Sequence, residues 1–104
     1  MLGNHTIIEP VMGPLARAAM RLPVRGDKRR KTLILVAAYR DAGQKNPLPC
    51  EMMQRLGFST EKVRHVLAAL EAEGWLHHNR KKHRLVLHFG PDGQPVEFKD
   101  GATA

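Results

Sequence analysis

The sequence predicts an α+β domain, mainly α, built as three helices closed by a C-terminal β-hairpin, with an extra short helix near the N-terminus. Three observations predict it. Between residues 27 and 74 apolar side chains recur at helical spacing, and glycines at 43, 57 and 74 end each run. After Trp75 the period changes from about 3.6 to about two, the alternation of a strand. At 104 residues, 42% hydrophobic and 26% charged, the chain matches one folded core and is too short for two. Residues 1–26 read as an extension, 27–98 as the domain, and 99–104 as a flexible tail.

Within the extension, residues 14–22 form the short helix, opened by Pro14 in the first turn and stopped by Pro23. Leu15, Ala18, Ala19 and Leu22 share one face and Arg17 and Arg21 another, so the segment covers the core or contacts a second subunit. The first main helix begins with Asp27 as cap, runs through the cations 28–31 and the apolar stretch 32–39, and stops at Gly43. Its apolar residues cover too much of the circumference for a surface helix, which puts it at the domain centre. The second starts at Pro49 and ends at Leu56, with Gly57 left-handed and Phe58 folding back. The third is capped by Ser59, runs from Thr60 to Glu73 and carries Val63, Val66, Leu67 and Leu70 on one face. Residues 76–78 and 83–89 then read as two strands around a basic tip, 79–82, with His83, Leu85, Leu87 and Phe89 alternating against Arg84, Val86 and His88. Pro91, Asp92 and Gly93 mark another turn, after which 96–98 return as a short third strand.

A net charge of +7 on so short a chain favours a polyanionic partner, nucleic acid before an anionic membrane. No apolar run reaches the roughly 20 residues needed to span a bilayer and no signal peptide is legible, so the expected location is cytoplasmic and the expected partners exclude membrane. The single cysteine, Cys50, excludes an internal disulfide and reads as a small buried residue near a helix start. No phosphate-binding glycine loop, nucleophile elbow or activated carboxylate pair is present in the sequence; the expectation is no enzyme activity and no cofactor.

Two helices joined only by Gly57, Phe58 and Ser59 must cross steeply, and the second then projects. With its apolar face inward, the outer surface carries Glu61, Lys62, His65 and Ala68, with Arg64 on the flank. A helix of this width enters the major groove of B-DNA, about 12 Å wide. There Lys62 and Arg64 donate to guanine or phosphate, His65 donates or accepts, and Ser59 and Thr60 suit phosphate. Arg80, Lys81 and Lys82 at the hairpin tip, with Arg84 beside them, are candidate phosphate contacts.

Residues 51–76, EMMQRLGFSTEKVRHVLAALEAEGWL, resemble the winged helix-turn-helix domains of bacterial regulators such as MarR-like and GntR-like proteins. The resemblance covers about half the chain. It implies three helices and a β-hairpin wing, recognition by the helix that starts at Thr60, and backbone or minor-groove contacts from the wing. Met53 stands where these families commonly have a small residue, and Thr60 where Arg is frequent. The function so implied is sequence-specific or semi-specific binding of double-stranded DNA, by a small transcriptional regulator or a phage or plasmid accessory factor. The alternative is an interaction module docking on an acidic partner protein. A homodimer, if formed, would use residues 14–22.

Other groups have plainer readings. With a tip at 79–82, His78 and His83 become cross-strand neighbours, but two ligands without a third donor are no zinc site, and the histidines read as solvated or stacking. The cations 28–31 oppose the dipole of the helix they begin, which fits either a solvated, frayed first turn or an external anion, with a backbone contact beside the recognition site as the second reading. Trp75 and Tyr39 read as core or rim packing.

Overall fold

A computed structural model describes residues 13–44, 46–47, 49–79, 81 and 84–95. Four helices, α1 (Pro14–Arg21), α2 (Asp27–Asp41), α3 (Pro49–Leu56) and α4 (Thr60–Ala72), precede two strands, β1 (Leu76–Asn79) and β2 (Arg84–Leu87). Helix α2 packs against each of the other three, and α4 leads directly into β1. Its buried residues Thr32, Leu33, Val36, Ala37, Ala38 and Tyr39 wrap more than one side of the helix, as a central position requires. Thr32 is buried without penalty because its hydroxyl donates to the Lys28 carbonyl one turn back, at 2.8 Å. The core joins Ala16, Ala18 and Ala19 of α1 and Leu33 and Val36 of α2 to Met52, Val63, Val66 and Leu70, and extends into the hairpin through Leu76, Leu85, Leu87 and Phe89.

Local chemistry explains the boundaries. The Ser59 hydroxyl accepts from the Lys62 amide at 3.1 Å and opens α4. At its far end the Trp75 amide donates to Leu70 and the Gly74 amide to Glu71, the paired reversal that a left-handed glycine permits. Gly57, at φ +74°, turns the chain between α3 and α4. The α2 cap differs from expectation: Gly26 holds that position and Asp27 is the first helical residue, its carboxylate bonded to Lys31 rather than to a backbone amide.

The sheet also departs from the expected register. β1 and β2 pair antiparallel with His78 opposite Leu85 and Asn79 opposite Arg84, so the cross-strand partner of His78 is not a histidine. The histidines that meet are His77 and His88, Nδ1 to Nε2 at 2.6 Å with the rings edge-to-face. Leu85, Val86 and Leu87 are all buried, against the expected alternation. Val86 lines a recess with Leu15 of α1 and Arg40 of α2, so the second face of β2 is covered as well. After β2, Gly93 closes a turn onto Gly90, and Phe89 bridges Pro95 antiparallel. The strand expected at 96–98 lies outside the described residues.

Cys50 is exposed, contrary to expectation. Helix α3 turns Met52 inward and packs Met53 and Leu56 at the core margin, a face that the second helical residue does not share. No helix among the described residues is long and apolar enough to cross a membrane.

Candidate nucleic-acid interface

Helix α4 is held by Val63, Val66 and Leu70, all 5% exposed or less, with Leu67 at the margin. At 100° per residue this anchors one side and turns Glu61, Arg64, His65 and Ala68 outward; all four are exposed. Lys62, expected on the outer surface, is half-buried on the side facing α2, and Arg64, expected on the flank, is fully outward. Among the described residues no carboxylate pairs with Lys62, Arg64 or His65. Lys62 and Arg64 thus form a cationic edge without a carboxylate partner among the described residues, with the exposed His65 imidazole beside them.

Ser59 and Thr60 are exposed at the start of α4. The Ser59 oxygen accepts within the cap, which leaves its proton for an outside acceptor. The Thr60 hydroxyl donates to the Met53 sulfur at 3.0 Å. Met53 and Thr60 therefore touch each other across the α3–α4 turn.

In the hairpin, Lys81 and Arg84 are exposed, Arg84 at the first paired position of β2. Arg80 and Lys82 lie outside the described residues. The hairpin follows α4 through Trp75, whose indole donates to Glu73 at 3.0 Å while its carbonyl accepts from the His88 amide at 2.9 Å. These bonds tie the base of the hairpin to the end of α4.

On the other side of α4 the cations that open α2, read from the sequence as a second candidate for a backbone contact, border a groove that the sequence did not show. Gly26, Asp27, Lys28 and Arg29 at the start of α2 face Lys62, His65, Val66 and Ala69 across an open groove of about 430 Å³. Arg29 is ion-paired with Glu73 at the end of α4, and the Lys28 ammonium stands 6.0 Å from the centre of the Phe58 ring. The sequence shows a basic run at 28–31, but the juxtaposition with Lys62 is a tertiary contact without a local signature.

The short helix α1 places its Ala16, Ala18 and Ala19 against α2, so the face considered for a second subunit is covered within the chain. Its exposed large apolar residue is Met20, with Arg17 and Arg21 also exposed. Among the described residues no group of three or more His, Cys, Asp or Glu side chains is arranged to hold a metal ion. No protein-family model matches the chain, and no curated protein or solved structure matches it either; the functional reading therefore stands on geometry and charge.

Proposed function

We propose that the chain is a winged helix-turn-helix protein that binds double-stranded DNA, with α4 in the major groove and the hairpin against the backbone or the minor groove. The observation that carries the reading is the outward edge of α4: Arg64 and His65 exposed and Lys62 on the flank, on a helix whose opposite face is locked in the core. Thirteen residues give α4 a length of about 20 Å, enough to lie along several base pairs of the groove. Exposed Lys81 and Arg84 supply the second contact, and the net charge of +7 supplies the long-range attraction. A small regulator or an accessory factor of phage or plasmid is the role that fits such a module. Homodimerisation through α1 would use Met20 and its flanking arginines.

The test is a titration of the purified protein against random and selected duplexes at two salt concentrations. Binding that weakens steeply with salt is expected. On the selected duplex, Arg64→Ala costs about 1–3 kcal/mol at one base position if the guanidinium reads a base, and acts equally at all positions if it holds phosphate. Absence of binding at low salt overturns the reading in favour of a module that docks its basic face on an acidic protein.

A further inference from the structure

The four cations that open α2 do not share one fate. Arg29 pairs with Glu73, Arg30 donates to the carbonyls of Met20 and Val24, both at 3.0 Å, and Lys31 pairs with Asp27 at 3.2 Å. These three are internal braces: they tie α2 to the end of α4, to the α1–α2 link and to its own first turn. Lys28 alone has no carboxylate or carbonyl partner among the described residues. Its ammonium is steadied over Phe58, the residue before the α4 cap, and it borders the groove whose opposite wall is Lys62 and His65. A cation in the first turn of a helix opposes the dipole, and keeping one there is unfavourable for the isolated protein. The acid in the groove, Asp27, is paired with Lys31. An anion in the groove that Lys28 and Lys62 line relieves the opposition to the dipole.

We infer that the groove between the start of α2 and α4 seats a backbone phosphate of the duplex, gripped by Lys28 and Lys62 with His65 at the rim. The inference rests on the duplex-binding reading and adds to it a strand contact on the α2 side of α4. With this contact the helix is flanked on two sides, by the groove and by the hairpin, so its angle in the major groove is set by phosphates rather than by base contacts alone. Because a diester phosphate carries no sequence information, the contact acts alike on every duplex.

The experiment compares wild type with Lys28→Gln, Lys62→Gln and the charge-conserving Lys28→Arg, on two duplexes of unrelated sequence, from 50 to 200 mM salt. Each groove variant is expected to reduce the slope of log affinity against log salt by about 0.9, so that the loss of affinity over that range is about 3-fold smaller than for wild type. The change should be the same on both duplexes, with Lys28→Arg close to wild type. Circular dichroism and thermal unfolding verify that the variants are folded; if Lys28→Gln is not, Lys62→Gln and Lys28→Arg decide. Wild-type slopes in the groove variants overturn the phosphate seat and leave duplex binding standing. A change confined to one duplex overturns it in favour of base reading, and a wild type that binds no duplex overturns both readings.

Discussion

Tyr39 is 2% exposed at the end of α2, and its hydroxyl donates to the Glu51 carboxylate of α3 at 3.0 Å while the Arg55 guanidinium stands 5.9 Å from the centre of its ring. One phenol thus fastens two helices. Burial, and then the bond to Glu51, hold its pKa above the usual value of 10.0. The sign of the pH effect follows from the proton count. The folded chain keeps the phenolic proton to higher pH than the unfolded chain, so the contribution of this group is fully present below the unfolded pKa. It is lost as pH rises through the folded value. Tyr39→Phe should cost about 1 kcal/mol near neutrality, and its stability gap from wild type should narrow above about pH 10. Urea unfolding of both proteins across that range checks it, and a gap that stays constant contradicts it. The sequence marks Tyr39 as packing but not its bond to Glu51, since twelve residues and a helix reversal separate the two. Cys50 shows the same limit from the other side: a small apolar residue near a helix start reads as buried until the direction of the helix face is known.

Helix α1 shows what an element needs beyond its own sequence. Eight residues are too few for a stable isolated helix, and Gly13 at its start offers no side chain to cap it. Asp41, at the other end of α2, fills that role: its two carboxylate oxygens accept from the Leu15 and Ala16 amides, each at 2.9 Å. The carboxylate meets both the orphan donors and the positive end of the α1 dipole. Gly13 is required for the approach, because a Cβ there would lie 2.7 Å from Asp41 Cγ. Asp41→Ala should therefore destabilise the protein by about 1–2 kcal/mol and should raise amide exchange first at Leu15 and Ala16. Equal exchange at these amides in variant and wild type would show that α1 is held by packing alone. Elements closed by neighbouring residues were legible: Pro49 and Gly57 bracket α3 at the expected bounds, and Ser59 opens α4 as expected, the helix ending at Ala72, one residue before the expected Glu73, which is its C-cap. The α1 cap was not, because its acceptor lies 26 residues away. The hairpin register was missed for the same reason, since local alternation leaves the turn free to slide by a residue and burial by α1 and α2 decides it.

At the scale of the molecule, the question is how a two-stranded hairpin is kept on a helical body. Two strands alone are marginal in water, and β2 has an outer edge with its own polar groups. At Leu85, that edge is met by side chains of the helical body. The Leu85 amide donates to Asn46 Oδ1 at 3.1 Å, and the Leu85 carbonyl accepts from Arg40 Nη2 at 3.1 Å. The end of α2 and the link to α3 thus complete the hydrogen bonding of a residue that is 5% exposed. The helices that carry α4 and the hairpin that carries Lys81 and Arg84 are thereby joined at one backbone position, and the spacing of the two proposed DNA contacts depends on it. Removing the acceptor leaves a buried N–H unsatisfied, a cost of about 1–3 kcal/mol. Asn46→Ala is expected to lose that much stability and to speed exchange of the Leu85 amide, while Asn46→Asp, which keeps an acceptor oxygen, should recover protection of that amide. If the hairpin sets the position of α4 on a duplex, Asn46→Ala should also weaken duplex binding without altering its salt slope, because no phosphate contact has been removed. A wild-type affinity together with a fast-exchanging Leu85 amide would show that the hairpin binds independently of the helices.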